Sequence, residues 1–237
     1  MNYYTLALTS HVVAGAVALV TFWTAGLMRK GTPRHRRVGQ VYLCAMLAVI
    51  VSGIPLVFAA IGRGEPVKAL FLGFLLLLVG NACWSAWRAI RDRRERSRYF
   101  GPVYWTLAIA TALSGAGISA LGIEVGAPIL TVFGLVGVFS GYGAWRSWRR
   151  APDDPKWWLK EHYNAMIGNG VATHIAFFGI GLRNALPMID PQTLQLFAWF
   201  APLSASLVAG WWLNRKYGTR RSVGHADQGN AMLSARG

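Results

Sequence analysis

Long apolar blocks, separated by short polar segments, dominate the hydrophobic pattern of this 237-residue chain. Seven blocks are about 20 or more residues long, and at about 1.5 Å of helical rise per residue each can cross about 30 Å of hydrocarbon. They cover residues 4–28, 38–61, 67–90, 103–122, 127–148, 163–186 and 192–215. The pattern predicts an all-α integral membrane bundle of seven transmembrane helices.

Glycine and proline concentrate in the segments between the blocks, where they interrupt helices. Examples are Gly31-Thr32-Pro33, Gly101-Pro102 and the pair Pro187 and Pro191. Beyond the last block the chain turns polar, and this composition predicts disorder. We therefore divide the chain into a seven-helix transmembrane domain, residues 1–217, and a disordered tail, residues 218–237.

Lysine and arginine alternate strongly between the predicted loops. Twenty-one of the 24 lie in segments 29–37, 88–98, 146–160 and the tail from residue 215, while Arg63, Lys68 and Arg183 lie on the other side. Because basic loops stay in the cytoplasm, the alternation predicts an outside N-terminus and a cytoplasmic C-terminus in a bacterial inner membrane. The same charge predicts contact with anionic lipid headgroups at the cytoplasmic face.

Composition agrees with a membrane protein, since 54% of the residues are hydrophobic and only 14% are charged. The net charge of +15 would suggest a nucleic-acid partner in a soluble protein, but these charges flank apolar blocks, so we expect no nucleic-acid binding. Cys44 and Cys83 lie inside blocks and in no C-x-x-C pattern, which gives no support to covalent heme attachment. We interpret both as small core residues.

Small residues are frequent in the fourth and fifth blocks. They include Ser114, Gly115, Gly117, Ser119, Gly122, Gly134, Gly137, Ser140, Gly141 and Gly143. Small side chains let helix backbones approach closely in a bilayer, so ordinary packing is the favoured interpretation. The alternative is room for a flat cofactor or a lipid tail. Tryptophan and tyrosine cluster at the predicted helix ends, which is typical of the aromatic belts of membrane proteins.

Few ionisable side chains lie within the apolar blocks, where such a residue is a functional candidate. No Asp or Glu is central in any block, and the seventh block has no central lysine, which argues against proton-relay carboxylates and a retinal Schiff base. The remaining candidates are four histidines: His11, His35, His162 and His174. Neutral imidazole is a common metal ligand, and paired imidazoles can bind the iron of heme b axially.

Depth along the predicted helices suggests two histidine pairs. His35, in the first cytoplasmic loop, lies at about the same depth as His162, and we name these two the inner pair. His11 and His174 form the outer pair, although His174 lies deeper in the membrane than His11. His162 and His174 lie about 18 Å apart along one helix, as two stacked hemes require, but point about 120° apart, which is a partial match. In the alternative interpretation, His35 contacts lipid phosphates, His162 a loop carbonyl, and the outer pair forms interhelical hydrogen bonds.

A polar stripe runs along the sixth block and begins at His162. His162, Met166, Asn169 and Thr173 share one helical face, and Arg183 falls near the same line. Polar residues in a membrane helix face the interior of the bundle or a cavity. We therefore include Asn169, Thr173 and Arg183 among the candidate site residues.

Three segments of the chain carry a family resemblance. They are His11-x-x-x-Gly15, then the junction His35-Arg36-Arg37-Val38-Gly39-Gln40-Val41-Tyr42, and the late segment from His162 through Arg183 to Pro187. These segments resemble a bacterial family of membrane proteins of unknown function, over most of the first, second and sixth blocks. The similarity to diheme b-type membrane cytochromes is looser and rests on transmembrane histidines in a helical bundle.

The chain departs from that family at one point in the late helix. The family often has an arginine near the start of this helix, where the present chain has Asn164 or Asn169. If that arginine binds an anion, the role is in doubt here. The resemblance implies that the histidines act as a set and implies no particular reaction.

The first functional hypothesis is a membrane electron-transfer protein that binds heme b through His11, His35, His162 and His174 as iron ligands. Its redox partner would be a quinone or another membrane protein. The alternative is a non-catalytic accessory subunit of a larger membrane complex. A metal-dependent hydrolase is less favoured because no central carboxylate offers a general base, and a transporter because no internal repeat is visible.

Overall fold

The computed structural model of the chain describes residues 3–217, without the side chains of residues 180–185. Its helices are α1 (Tyr3–Leu27), α2 (Pro33–Gly62), α3 (Pro66–Arg91), α4 (Arg96–Tyr99), α5 (Pro102–Glu124), α6 (Pro128–Arg150), α7 (Trp157–Ala185) and α8 (Pro191–Tyr217). Residues 3–217 contain no strand, so the prediction of an all-α fold is confirmed. The predicted disorder of residues 218–237 falls outside the described residues.

The predicted turn residues begin the helices. Proline occupies the first helical position of α2, α3, α5, α6 and α8, where its missing N–H costs no hydrogen bond. Three tight turns place a glycine at positive φ, at Gly31, Gly64 and Gly126, a conformation that other residues rarely adopt. Pro55 and Pro202 lie inside α2 and α8, and both helices continue past them.

Two helices begin earlier than the hydrophobic pattern predicts. α2 starts at Pro33 and α7 at Trp157, because the first two turns of each contain charged residues that the apolar blocks exclude. His35 therefore lies in the first turn of α2, and its prediction as a loop residue is wrong. The short helix α4 was also not predicted, since four residues carry no periodic signal.

Four helices form the centre of the molecule. α1 packs against α2 and α7, and α3 packs against the same two helices, so α1, α2, α3 and α7 close a four-helix bundle. The hairpin of α5 and α6 packs on α3, and α8 packs on α7. The bundle core contains Ala18, Tyr42 and Met46, with Cys83 and Met166 packed against them. Cys44, by contrast, is exposed on the outside of α2, so it is not a core residue.

The small residues of α5 and α6 serve helix packing. A Cβ atom placed on Gly115 would lie 2.6 Å from the carbonyl oxygen of Gly134. The two backbones are thus in direct contact, which is the arrangement that small residues permit in membrane helices. This contact leaves no space for a flat cofactor between α5 and α6.

Within residues 3–217, six helices are long and apolar enough to cross a membrane: α1, α2, α3, α5, α6 and α8. α7 is not among these six; the side chains of residues 180–185 at its end lie outside the described residues, and its described part carries polar residues, among them Asn164 and Asn169. It nevertheless lies between α1, α3 and α8. The polar helix is therefore surrounded by apolar ones, which is the place where polar side chains can be satisfied within a bilayer.

Candidate functional site

His35 is oriented by the end of the preceding helix. The hydroxyl of Thr32 accepts the backbone N–H of His35 at 3.2 Å and so caps α2. The Nδ1 atom of His35 lies 3.1 Å from the carbonyl oxygen of Ala25 in α1. Because a carbonyl can only accept, Nδ1 carries the proton and Nε2 presents a lone pair.

His162 is oriented in the same way on the opposite side of the bundle. Its Nδ1 atom donates to the carbonyl oxygen of Ala86 in α3 at 2.9 Å. This bond places the proton on Nδ1 and leaves the lone pair on Nε2. Ala86 belongs to a helix and not to a loop, so the predicted loop-carbonyl contact of His162 is replaced by an interhelical bond.

The structure brings the inner pair to one end of the four-helix bundle. His35 and Lys30 both lie within electrostatic range of the His162 imidazole. Among the described residues, no group donates a hydrogen bond to Nε2 of His35 or of His162. Two imidazoles from α2 and α7 thus present unengaged lone pairs in the same region, each ring held by a backbone carbonyl. Metal-bound histidines in proteins are held in this manner.

Lys30 supplies a positive charge to this region. Its ammonium group donates to the carbonyl oxygen of Ala25 at 2.9 Å and to that of Gly26, both in the last turn of α1. Partial burial lowers the pKa of Lys30 from its ordinary value. The sequence analysis did not select this lysine, since it is one of five basic residues in its loop and only the carbonyl contacts distinguish it.

There is open space on the face of α2 that carries His35. Gly39 lies one helical turn after His35, and a Cβ atom placed on Gly39 would have no atom within 4 Å. Gly26, at the end of α1, is equally open. The inner pair therefore lies beside backbone that a flat group can approach closely.

His174 is engaged through both ring nitrogens. Nδ1 donates to the carbonyl oxygen of Gly170 at 2.7 Å, and Nε2 accepts the indole N–H of Trp23 at 2.9 Å. The rings of Phe22 and Trp23 meet the imidazole edge-on, each at a centroid distance of 5.5 Å. No lone pair of His174 is left for a metal in this arrangement.

His11 lies elsewhere on α1 and contacts a different helix. Its Nδ1 atom is 3.2 Å from the hydroxyl oxygen of Ser52, whose own proton goes to the carbonyl oxygen of Ala48. Trp23, the partner of His174, is twelve residues further along α1, or about 18 Å of helical rise. The structure therefore does not bring the outer pair together, and both of its histidines form interhelical hydrogen bonds, as the alternative interpretation held.

The polar stripe of α7 faces the bundle interior. Asn169 is 0% exposed and Thr173 is 6% exposed. The Thr173 hydroxyl donates to the backbone carbonyl of Asn169 at 2.9 Å and lies 3.5 Å from the Tyr42 hydroxyl. The Cys83 thiol donates to Oδ1 of Asn169 at 3.5 Å, while Nδ2 of Asn169 has no partner. The side chain of Arg183 lies outside the described residues.

The ligand set restricts which metal centre the chain can hold. Within the described residues, no group of three or more His, Cys, Asp or Glu side chains could hold a metal ion. Zinc sites use three or four protein ligands, so the inner pair alone does not form one. A heme iron needs protein ligands only at its axial positions, and two imidazoles meet that need.

Similar proteins offer no further guide to the chemistry of this site. Comparison of the chain with protein-family models, with curated proteins and with solved structures finds no match.

Proposed function

We propose that this chain is a membrane electron-transfer protein that holds one heme b between His35 and His162. The observation that carries the proposal is the shared orientation of the two imidazoles. Each donates Nδ1–H to a backbone carbonyl, of Ala25 or of Ala86, and each keeps its Nε2 lone pair. The four-histidine set of the sequence analysis is thereby reduced to its inner pair.

The residues around the pair have separate tasks in this proposal. When bound, a bis-imidazole heme iron accepts and releases one electron at a time. The carbonyls of Ala25 and Ala86 fix the tautomer and the plane of each imidazole. Lys30 lies at the same end of the bundle and provides a positive charge for the two heme propionates.

The proposal includes a topology of seven membrane spans in a bacterial inner membrane, with the N-terminus outside and the C-terminus in the cytoplasm. α7 is then the sixth of the seven spans along the chain, with its polar side chains directed into the bundle. Support comes from the contacts at the basic end, where His35 meets the end of α1, His162 the end of α3, and Tyr163 hydrogen-bonds Asn214 near the end of α8. The heme would lie near the cytoplasmic face.

The redox partner in this proposal is a quinone or another membrane protein. An accessory subunit without a cofactor is the competing function, and the resemblance of the His11, His35 and His162 segments to a family of unknown function does not separate the two. The two functions differ in one observable, since only a heme protein absorbs strongly in the visible region.

The decisive experiment is an optical spectrum of the full chain, expressed with added heme precursor and purified in detergent. We expect a Soret band, split α bands after dithionite reduction, and about one heme per chain by pyridine hemochrome assay. His35→Ala and His162→Ala should each abolish the six-coordinate spectrum. His11→Ala is the matched control, since it removes an imidazole of the same bundle that bonds to Ser52.

Two results would overturn the proposal. One is a folded, monodisperse wild-type preparation that contains no heme when expressed under these conditions. The other is an unchanged six-coordinate spectrum in both His35→Ala and His162→Ala. Imidazole added to His162→Gly should restore the spectrum, which distinguishes a lost ligand from a misfolded chain.

A further inference from the structure

Two grooves on the surface of α1 meet at one residue. The first, of about 660 Å³, is lined by Leu19, Val20, Trp23, Thr24, Leu27 and Met28. The second, of about 600 Å³, is lined by Met28, Arg29, Thr32, Pro33, Arg34 and Arg37. Both are open surface depressions, and because Met28 lines both, they adjoin along a path from the side of α1 to the α1–α2 turn, which we name the composite groove.

The composite groove changes from apolar to basic along its length. In its apolar part, Leu27 is 82% exposed and Trp23 is 52% exposed. In its basic part, Arg29, Arg34 and Arg37 are all exposed. No acidic side chain within residues 3–217 forms an ion pair with any of these three arginines. Three guanidinium groups around one concavity therefore lack a counter-charge within the described chain.

The start of α2 adds to this positive potential. Pro33 is the first residue of the helix, and a helix N-terminus carries a partial positive charge of about half a unit. The guanidinium group binds phosphate oxygens through two parallel hydrogen bonds, which a single ammonium cannot do. The basic part of the composite groove thus has the chemistry of a phosphate site.

The apolar part has the dimensions of a lipid chain. Leu19 and Met28 are nine residues apart, which corresponds to about 14 Å of helical rise. One leaflet of hydrocarbon is about 15 Å thick, half of the bilayer core. An acyl chain can therefore lie along α1 while its phosphate reaches the arginines just beyond the end of the helix.

We propose that the composite groove binds one anionic phospholipid, with its phosphate among Arg29, Arg34 and Arg37 and one acyl chain along Val20, Trp23 and Leu27. The occupant is a lipid and not a soluble phosphate because the apolar groove continues the basic one. The inference does not depend on heme binding, since no imidazole of the inner pair lines either groove.

Native mass spectrometry of the detergent-purified full chain tests the proposal. The lipid probes are palmitoyl-oleoyl phosphatidylglycerol and the phosphatidylcholine with the same chains, and inorganic phosphate is the soluble competitor. We expect one phosphatidylglycerol molecule to remain bound at collision energies that remove phosphatidylcholine. Replacing all three arginines, as R29Q/R34Q/R37Q, should weaken phosphatidylglycerol binding about tenfold or more, because charge-assisted hydrogen bonds are lost.

A matched control separates this site from general attraction to a basic surface. R93Q/R94Q/R96Q removes the same charge from three exposed arginines that also form no ion pair, and it should change phosphatidylglycerol binding by no more than about twofold. Val20→Trp, which fills the apolar part, should weaken both lipids. Helical circular dichroism and size-exclusion chromatography verify folding, and Arg37→Gln alone is measured should the triple variant not fold.

Equal losses in the two triple variants would show that the lipid senses only net charge, and the proposal fails. It also fails if inorganic phosphate displaces phosphatidylglycerol at similar concentrations, because the apolar groove then contributes nothing. Neither readout involves heme absorption, so this proposal and the proposed function can fail separately.

Discussion

The indole of Trp23 donates a hydrogen bond of 2.9 Å to Nε2 of His174, so this imidazole carries its proton on Nδ1. The Nδ1–H group donates a hydrogen bond of 2.7 Å to the carbonyl oxygen of Gly170. Both nitrogens of His174 are therefore engaged, whereas His35 and His162 each keep an Nε2 without a partner among the described residues. His174 thus differs from the inner pair in having no lone pair left for a ligand.

This difference in free lone pairs leads to a prediction for His174. We expect His174→Ala to retain the heme spectrum and to lower the free energy of unfolding, because the link between α7 and α1 is lost. Trp23→Phe removes the indole N–H and shortens the ring but keeps an aromatic side chain at this position, so it should cost less; the hydrogen bond itself contributes about 0.6 kcal/mol, the average for one between membrane helices. Visible absorption and unfolding in a denaturing detergent measure the two quantities.

The control for this prediction is His162→Ala, which should remove the six-coordinate spectrum that His174→Ala retains. Loss of heme from His174→Ala, in a variant that still elutes as a folded species, would show that the Trp23 contact is not the resting arrangement of this histidine.

The sequence was sufficient for the helices and insufficient for the histidine pairs. Apolar length and turn residues predicted the existence of each long helix and most of its ends, because these signals are local, whereas the charged first turns of α2 and α7 were missed. The outer pair was predicted from depth alone, but depth does not specify which face of α1 meets α7. His11 faces Ser52 and His174 faces Trp23, and only the packing of the bundle decides that.

The sequence also does not reveal which backbone groups and buried partners contact a given side chain. The carbonyls of Ala25 and Ala86, which orient the inner pair, are chemically the same as those of any residue. The tryptophans at predicted helix ends were expected at the membrane surface, yet one of them, Trp84 near the end of α3, packs against buried Tyr99 at a centroid distance of 5.7 Å. The stripe from Asn169 to Thr173 was placed correctly toward the interior, because a polar face on an apolar helix has only one favourable direction.

The contact between α5 and α6 predicts a strong effect of adding one methyl group. Gly115→Ala would place its Cβ 2.6 Å from the Gly134 carbonyl oxygen, so the helices must separate. We expect a loss of about 1–3 kcal/mol in the free energy of unfolding, the usual cost of overpacking. Thermal unfolding in detergent, followed by circular dichroism, measures it.

Gly117→Ala is the matched control on the same helix. Its Cβ would have no atom within 4 Å, so the change should be neutral or slightly stabilising, because alanine favours helix more than glycine does. Similar losses in the two variants would mean that α5 and α6 are not in backbone contact in the detergent-solubilised protein.

The buried hydroxyl of Tyr99 leads us to expect that the stability of the fold decreases at alkaline pH. This residue of α4 is 0% exposed, and its hydroxyl donates to Oε2 of Glu161 at 2.8 Å. Burial, together with the nearby Glu161 carboxylate, raises the pKa of Tyr99 above its ordinary value. The folded chain therefore holds this proton more tightly than the unfolded chain does, so the stabilisation is complete below about pH 10 and is lost as the pH rises further.

The measurement is the slope of the thermal midpoint between about pH 9 and pH 11. We expect a steeper decline in the wild type than in Tyr99→Phe, which has no proton to lose at this position. Tyr142→Phe, at a tyrosine that is 56% exposed, should follow the wild-type slope. Equal slopes in all three proteins would contradict a buried phenol at Tyr99.

Under the proposed function, the cap of α2 links the stability of a helix end to heme retention. Thr32 accepts the backbone N–H of His35 at 3.2 Å, and loss of such a cap costs about 0.5–2 kcal/mol. In Thr32→Ala the first turn of α2 frays more often, and each opening moves His35 away from the position set by Ala25. A cost near 1 kcal/mol corresponds to about a fivefold faster loss of heme, measured as transfer to a heme-scavenging apoprotein.

Thr32→Ser is the matched control for this prediction, because it keeps a capping hydroxyl and should lose heme at the wild-type rate. If Thr32→Ala releases heme at the same rate as Thr32→Ser and the wild type, the position of the His35 imidazole does not depend on the cap of α2, and its contact with Ala25 is sufficient to hold it.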